Sequence, residues 1–360
     1  MNSFPTFKTN MNAREKETYI IGEIGQNHNG SVDLAKQIID VASEEVYVEL
    51  FDLRLKPMNA VKLTKRDLNE ELSQSQMNAP YNSPHSFGKT YGEHRAALEL
   101  SDDAHFELFK YAKSKNLDFI ETLCAKGCLS LLKLFTPDAL KVASRDLTNL
   151  PLLEAMAETK IPMILSTGMA GKQELDEALN TITKHHSNIS ILHCTSEYPT
   201  QPEHVNLNTI AYLKENYTQY KIGFSDHTIG IVTPVAAAAL GAEIIEKHIT
   251  MDRTLKGTDQ AGSLGPEGIF RMVRDIRQLE IWMGKKEIFI EPSTAAAKQK
   301  LERSIASIRD IQAGEIISVH DIHLLSPGDG FKWRDQHLVV GKKATQRIPA
   351  NEIIYPNLLD

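Results

Sequence analysis

The chain has 360 residues, of which 41% are hydrophobic and 24% are charged, with a formal net charge of -7. This is the composition of an ordinary globular protein, and the chain is long enough to bury a core without disulfides or structural metals. The acidic balance, without any concentration of Lys and Arg, argues against a nucleic-acid partner. No run approaches the roughly 18 apolar residues of a membrane span, and residues 1–19 lack the apolar centre of a signal peptide, so we expect no membrane association.

The chain contains three cysteines, Cys124, Cys128 and Cys194. An odd number without paired metal-ligand spacing is typical of reduced thiols. We therefore predict free cysteines and a cytoplasmic location.

Short apolar, β-rich runs alternate with amphipathic segments along the first two thirds of the chain. The amphipathic segments include Val32–Ala42, His105–Ser114 and Lys172–Thr183. This alternation predicts an α/β fold, a parallel (β/α)8 TIM barrel, with a doubly wound open sheet as the alternative. We predict the eight strands at Tyr19–Ile24, Ala60–Leu63, Asp118–Thr122, Leu140–Val142, Pro162–Ser166, Ile189–Cys194, Lys221–Phe224 and Ile244–His248.

Two segments depart from this alternation of predicted strands and helices. Glu44–Met58 is longer than a barrel turn needs, and is either an extension of the preceding helix or a local excursion. Thr64–Leu98 is long and polar, and follows the second predicted strand. Loops of this length are usually functional or mobile, and this one follows the carboxyl end of a strand, where barrel enzymes do their chemistry.

The pattern changes near residue 285. Residues 285–300 are polar and alanine-rich, which predicts a linker between a barrel domain, 1–284, and a small domain, 301–360. The small domain contains two similar units, IQAGEII at Ile311–Ile317 and IPANEII at Ile348–Ile354. We expect it to be β-rich and pseudo-symmetric.

Charged side chains stand at the ends of several predicted barrel strands. Glu23 lies on the first strand, Lys62 on the second and Lys141 on the fourth. A carboxylate in a barrel mouth is costly to bury unless it is paired or acts as an acid or base, and a structural role paired to a lysine is the alternative. Two lysines on different strands predict an anion with more than one charge, such as a phosphate with a carboxylate.

Serines follow the fourth to seventh predicted strands. A single serine at such a position is a common helix cap. Four on one rim instead predict hydroxyl donors around phosphate oxygens: Ser144, Ser166, Ser196 and Ser225.

Histidines follow the last two predicted strands, His227 in Ser225–Thr228 and His248 in Glu246–His248. A lone strand-end histidine is usually structural, but two on neighbouring strands can approach one metal ion. Such a pair leaves positions open for water and a carbonyl oxygen, as Lewis-acid catalysis requires. Asp259 is either a turn residue or a ligand of sugar hydroxyls at the same rim.

Four motifs, in this order and spacing, resemble the sialic acid synthases, the NeuB-type enzymes. The motifs are IGEIGQNHNG, HCTSEYPT, GFSDHT and EKH, at Ile21–Gly30, His193–Thr200, Gly223–Thr228 and Glu246–His248. From Arg303 onward the chain is similar to the antifreeze-like (SAF) domain of that family. The resemblance therefore covers nearly the whole chain.

The resemblance implies a transferase that condenses phosphoenolpyruvate with an N-acylmannosamine-like or related hexose aldehyde and releases phosphate. It implies a divalent metal, Mn²⁺ or Mg²⁺, on His227 and His248, and a catalytic acidic pair, Glu23 and Asp146. Tyr198 and Asp259 match positions on the sugar side. The positions that match phosphoenolpyruvate ligands are Lys62, Thr122, Lys141, Ser144, Ser166, Ser196 and Ser225. The resemblance further implies a homodimer in which each C-terminal domain covers the barrel of the partner.

Departures from the family pattern concern the sugar. Bacterial members carry an Arg that reaches the N-acyl group of the sugar, and Ser326 stands at that position here. Lys332 or Arg334 is a replacement, or the acceptor is a different hexose, phosphorylated or without the N-acyl group. Bacterial members also often have Glu where this chain has Asp146. The segment Ser86–Arg95 either contacts substrate or is an ordered surface loop.

Three alternative functions stay open at this point. The first is another phosphoenolpyruvate-condensing synthase, making a 2-keto-3-deoxy sugar acid of seven or eight carbons, although such enzymes typically lack the C-terminal domain. The second is a non-catalytic sugar-binding barrel, against which the intact Glu23, lysines and histidines argue. The third takes the C-terminal domain as an ice-binding module.

Overall fold

The computed structural model describes residues 17–360. The chain divides into two compact units, Met1–Gly284 and Lys285–Asp360. The strands of the first unit are β1 (Tyr19–Gly25), β2 (Val46–Val48), β3 (Leu53–Leu55), β4 (Ala60–Lys65), β5 (Asp118–Leu123), β6 (Ala139–Val142), β7 (Met163–Ser166), β8 (Ile189–Cys194), β9 (Lys221–Asp226) and β10 (Ile244–His248). Its helices are α1 (Val32–Ala42), α2 (Leu68–Glu71), α3 (Gln74–Met77), α4 (Tyr91–Ala97), α5 (Asp102–Ser114), α6 (Leu150–Glu158), α7 (Lys172–Ile182), α8 (Asn208–Asn216), α9 (Val232–Ala239) and α10 (Pro266–Trp282).

Eight of these strands close a parallel barrel in the order β1-β10-β9-β8-β7-β6-β5-β4. They are the eight predicted runs, with ends that differ by up to two residues. The open-sheet alternative is wrong, because β1 pairs with both β4 and β10 and so closes the sheet on itself. The predicted TIM barrel is confirmed.

Inside the barrel, one apolar layer of side chains forms a floor. It comprises Ile21, Ala60, Ile120, Ala139, Ile164, Leu192 and Ile244. Because side chains alternate between the two faces of a strand, the residue two positions further on also points into the barrel. That second layer is polar or ionisable on every strand: Glu23, Lys62, Thr122, Lys141, Ser166, Cys194, Ser225 and Glu246. The two-residue period of the strands thus collects the reactive side chains directly above an apolar floor.

The helices cover the outside of the barrel through narrow apolar stripes. In α1 the side chain of Ser31 accepts a hydrogen bond from the backbone of Leu34, which caps the first turn. The helix then buries Ala35, Ile38, Ile39 and Ala42. This spacing of three and four residues places one face of the helix against the strands. The main apolar core therefore lies between the strands and the helices.

The segment Glu44–Met58 is a local excursion and not a longer helix. Strands β2 and β3 pair antiparallel within it, with Val46 opposite Leu55. The long segment Thr64–Leu98 contains the short helices α2, α3 and α4. At the start of α4, Thr90 and Glu93 form a reciprocal capping box. This segment therefore has regular secondary structure, and hydrogen bonds fix the start of the helix that carries Arg95.

The second unit contains α11 (Ala295–Leu301), β11 (Ser304–Ser307) and β12 (Ile322–Leu325), with β11 and β12 paired antiparallel. The predicted linker, 285–300, lies at its start, and its last residues belong to α11. The two similar units of the sequence pair with each other, because Ile311 and Ile348 exchange both backbone hydrogen bonds at 2.9 Å. The core is made of isoleucines and other small aliphatic side chains. The small β-rich domain expected from the sequence is confirmed.

Within residues 17–360, no helix combines the length and the apolar character needed to cross a bilayer.

Candidate active site

A cavity of about 490 Å³ opens at the carboxyl ends of the barrel strands. Every predicted site residue except Asp146 lines it. The strand-end residues meet there because all eight strands are parallel and end at the same rim. The Thr64–Leu98 segment contributes to the same wall with Tyr81, His94 and Arg95.

Two lysines and two glutamates form a buried ionic layer at the bottom of the cavity. Lys62 Nζ lies 2.7 Å from Glu23 Oε2 and 3.7 Å from Glu246 Oε1. Lys141 Nζ lies 3.9 Å from Glu246 Oε1 and donates a hydrogen bond to Ser166 Oγ. Because all four groups are almost fully buried, their charges interact strongly and none is screened by bulk water.

The two carboxylates of this layer differ in their protonation. Burial raises the pKa of Glu23 to about 7, against the opposing charge of Lys62. Burial also disfavours the charged form of Glu246, but Lys141 and Lys62 outweigh that effect and hold its pKa well below the ordinary value. Neighbouring carboxylates whose pKa values are driven apart are typical of an acid–base site. Glu23 is thus the group able to hold and release a proton near neutral pH.

Hydroxyl groups surround a glycine on the wall between β6 and β8. The Gly168 backbone N–H donates to Ser144 Oγ at 3.0 Å. A Cβ atom at position 168 would overlap Ser144 Oγ, Cys194 Sγ and Ser196 Oγ. Only a glycine therefore lets these side chains converge, and the resulting group of small donors suits phosphate oxygens.

The rings of His227 and His248 lie side by side, with 5.5 Å between their centroids. His227 Nδ1 lies 2.9 Å from the carbonyl oxygen of Thr195. Since that oxygen only accepts, Nδ1 carries a proton, and Nε2 is the nitrogen that would bind a metal. His248 Nδ1 is buried and has no hydrogen-bond partner within the described residues.

These two imidazoles fit a divalent cation. An orphaned buried nitrogen on His248 and a fixed tautomer on His227 are what metal ligands show, and the carbonyl of Thr195 is the usual kind of outer partner. Residues 17–360 contain no cluster of three or more His, Cys, Asp and Glu side chains able to hold a metal. The protein would therefore supply two nitrogens and leave the other positions to water and substrate.

A buried ion pair links the ends of the two strands next to His227 and His248, on the side that faces away from the barrel interior. Lys247 Nζ lies 2.6 Å from Asp226 Oδ2 and also donates to the carbonyl oxygen of Thr228. Asp226 and Lys247 precede His227 and His248 by one residue each, and therefore point away from the barrel interior. This pair fixes the ends of β9 and β10 relative to each other.

Asp146 lies behind the wall and contacts Arg145, which itself lines the cavity. Burial raises the pKa of Asp146, and Arg145 opposes that effect. Arg145 also lies 3.4 Å from Glu71 and 3.0 Å from the sulfur of Cys124. The predicted acidic pair is therefore separated in this structure, with Glu23 in the cavity and Asp146 behind a guanidinium.

Tyr198 and Asp259, predicted on the sugar side, both line the cavity. The Tyr198 ring packs on His227 with 4.0 Å between centroids, and it lies nearly perpendicular to the ring of His248. Asp259 lies next to Thr258 on the loop after β10. Both predicted sugar-side residues thus share the opening with the histidine pair.

A model of the NeuB family matches residues 56–288, and a model of the SAF domain matches residues 302–360. The first match alone covers more than half of the chain. This protein belongs to the NeuB family.

Relatives in several organisms match this NeuB-family chain over nearly its whole length. The human N-acetylneuraminate-9-phosphate synthase is 34% identical, over 95% of this chain and 92% of the relative. The N,N'-diacetyllegionaminic acid synthase of Legionella pneumophila is also 34% identical, over 92% of each chain. A crystal structure of the N-acetylneuraminic acid (sialic acid) synthetase of Leptospira borgpetersenii, in complex with citrate, is 32% identical with a TM-score of 0.62, over 78% of this chain and 90% of that one. The predicted family, fold and class of enzyme, a transferase of the synthase type, are confirmed.

Some lining residues of this NeuB-family barrel were missed by the sequence reasoning. Glu246 and Cys194 belong to the polar second layer, and counting two residues on from the inward Ile244 and Leu192 finds both. Arg66 and Arg145 carried no such signal, because each follows a strand end in a segment whose path no periodicity defines. Arg95 ends the segment Ser86–Arg95, for which contact with substrate was one of the two alternatives, and it lines the cavity.

Proposed function

We propose that this protein condenses phosphoenolpyruvate with the open-chain aldehyde of an N-acylated hexose, giving a nine-carbon 2-keto-3-deoxy acid and phosphate. The proposal rests on a buried layer of two lysines and two glutamates, which lies with hydroxyl donors and two neighbouring imidazoles in one cavity. An anionic enol phosphate can bind at the lysines, and the carbonyl of the second substrate can bind near the imidazoles, at a different part of the same cavity.

Lys62 and Lys141 are assigned to the anionic groups of phosphoenolpyruvate. Both are held on strands, both are buried, and together with Thr122 and the serines they supply the donors that a phosphate and a carboxylate require. The glycine at position 168 lets Ser144, Ser196 and Cys194 converge on one part of the cavity wall. Ser166 and Ser225 already bond Lys141 and Glu246, and so orient the layer.

His227 and His248 would hold the divalent metal, Mn²⁺ or Mg²⁺. When bound there, such a metal polarises the aldehyde oxygen of the acceptor. Tyr198 and Asp259, beside the histidines, are assigned to the sugar. These assignments rest on the orphaned nitrogen of His248 and on the shared opening of the four residues.

Glu23 is assigned the proton transfers. C3 of phosphoenolpyruvate forms a bond to the aldehyde carbon, whose oxygen gains a proton. Water adds at C2 and loses a proton, and the bond from C2 to the phosphate oxygen breaks. A carboxyl group with a pKa of about 7 both donates and accepts a proton near neutral pH, which favours Glu23 over Glu246, whose pKa Lys141 and Lys62 hold low. Asp146 stays a candidate for the second carboxylate of the pair.

The acceptor is proposed to be an N-acylated amino sugar because the relatives are named for such products. Those names include products with a phosphate and without one, so they leave that choice open. The sequence analysis considered three C-terminal residues for contact with the N-acyl group. Within their own unit, Ser326 Oγ donates to the carbonyl of Leu301, Lys332 is paired with Glu302, and Arg334 is exposed.

Phosphate release with a panel of aldehydes tests the proposal. We expect the protein, supplied with Mn²⁺ and phosphoenolpyruvate, to release phosphate with at least one of N-acetylmannosamine, its 6-phosphate, mannose and diacetamido hexoses. Omitting the aldehyde is the control, and release should then stop. No release with any member of the panel would contradict the proposed function and favour a sugar-binding barrel.

We also propose that the protein is a cytoplasmic homodimer, as the resemblance implies. Light scattering at working concentration should give about twice the 40.3 kDa of one chain. A monomer at that concentration would contradict the dimer without affecting the assignment of the cavity.

A further inference from the structure

Arg95 carries an unmatched positive charge at the rim of the cavity. It lies on α4, in the segment that follows β4, and its side chain lines the cavity. Its guanidinium donates to Gln26 Oε1 at 2.8 Å and to Tyr91 Oη at 2.8 Å, and it lies over the Tyr91 ring. These partners are neutral, so they orient the guanidinium and leave its charge uncompensated.

Each of the other lysines and arginines that line the cavity lies within 4 Å of a carboxylate oxygen. Lys62 and Lys141 share Glu23 and Glu246, as described above. Arg66 lies 2.8 Å from Glu71 and 3.5 Å from Glu99, and Arg145 contacts Glu71 and Asp146. None of the ion pairs among residues 17–360 includes Arg95. A substrate anion gains the most binding free energy from a cation in the cavity that is not already paired with a carboxylate.

A second unpartnered donor lies beside Arg95. The side-chain nitrogen Nε2 of Gln26 is buried and finds no hydrogen-bond partner among residues 17–360, while Gln26, 6% exposed, lines the cavity. Its orientation is fixed, because a guanidinium only donates and must therefore face Oε1. Leaving a buried amide donor unpaired costs free energy unless a ligand accepts from it. Two adjacent N–H donors, one charged, thus point to an anionic acceptor group.

That anion is not phosphoenolpyruvate in our assignment, since its phosphate and carboxylate have Lys62, Lys141 and the hydroxyl groups on the strands. Arg95 belongs instead to the inserted segment, and its charge and that of Asp259, which is assigned to the sugar, both act on the pKa of His94. We infer that Arg95 and Gln26 bind an anionic group on the sugar acceptor, a phosphate monoester or a carboxylate. This inference rests on the proposed function and names the class of acceptor.

Steady-state kinetics with matched acceptors tests the inference. The wild-type protein should use N-acetylmannosamine 6-phosphate with a higher kcat/KM than N-acetylmannosamine, and N-acetylmannosaminuronic acid distinguishes a carboxylate from a phosphate. In Arg95→Ala the KM for the preferred anionic acceptor should rise roughly 10- to 100-fold, the range expected for a charged hydrogen bond. The KM for phosphoenolpyruvate should change far less, and Arg95→Lys should recover part of the loss.

Lys89→Ala is the control, because it removes a positive charge from the same segment at an exposed side chain that does not line the cavity. It should match the wild type, and thermal denaturation should show that all variants fold. Equal kcat/KM for charged and uncharged acceptors in the wild type, or a rise in the phosphoenolpyruvate KM in Arg95→Ala, would overturn the inference. Either result would still leave the condensation itself intact, whereas no turnover with any acceptor contradicts the proposed function.

Discussion

His248→Ala should abolish metal-dependent phosphate release from phosphoenolpyruvate. The substitution removes one of two imidazoles that would hold the cation, and with it the polarisation of the aldehyde oxygen. Lewis-acid assistance supplies several kcal/mol, and each 1.36 kcal/mol is a factor of ten in rate. We therefore expect turnover to fall roughly a thousandfold or more, together with weaker Mn²⁺ binding measured by calorimetry without substrates.

His185→Ala is the matched control for this variant. His185 follows α7, does not line the cavity and interacts with Glu154 instead. Its substitution should leave both Mn²⁺ affinity and turnover close to the wild type. Unchanged turnover and unchanged Mn²⁺ binding in His248→Ala would remove the metal assignment.

Lys62→Met should lower both the stability of the barrel and the binding of phosphoenolpyruvate. It leaves Glu23 without the ammonium group 2.7 Å away, in a layer where both side chains are about 5% exposed. Breaking a buried ion pair by removing one partner costs up to about 3–5 kcal/mol, and uptake of a proton by Glu23 places the loss at the lower end of that range near neutral pH. We expect the loss in chemical denaturation followed by circular dichroism, and a large rise in the KM for phosphoenolpyruvate.

The double variant Lys62→Met with Glu23→Gln separates these two effects. Removing the uncompensated carboxylate should restore much of the lost stability, since no buried charge is then left unpaired at this position. Activity should stay lost, because both the anion-binding ammonium and the proton carrier are absent. Recovery of turnover in the double variant would contradict the roles assigned to both residues.

The barrel was predictable from the sequence because its strands are short, apolar and regularly spaced. All eight predicted runs are barrel strands, and the repeated isoleucine units of the C-terminal domain pair through Ile311 and Ile348. The antiparallel hairpin at 46–55 was not resolved from the pattern, because Glu44–Met58 mixes charged and apolar residues without a clear period. Only the tertiary structure distinguishes this hairpin from a longer helix.

The candidate site was predictable where strands carry it and less so where loops do. Strand ends brought Glu23, Lys62 and the two histidines to one cavity, as parallel pairing requires. The position of Asp146 was not predictable, because the neighbouring Arg145 takes the cavity wall and the carboxylate turns to it. Arg95 required the structure, since its unmatched charge is visible only once all its neighbours are known.

Mass spectrometry of the reaction products shows whether the protein joins phosphoenolpyruvate to the sugar. The wild-type protein would be incubated with Mn²⁺, phosphoenolpyruvate and the aldehyde that supports the fastest phosphate release. We expect a new acid that contains all carbons of both substrates, formed in equal amount to the phosphate. Phosphate accompanied by pyruvate and unchanged sugar would contradict it, because the cavity would then hydrolyse phosphoenolpyruvate without forming the carbon–carbon bond.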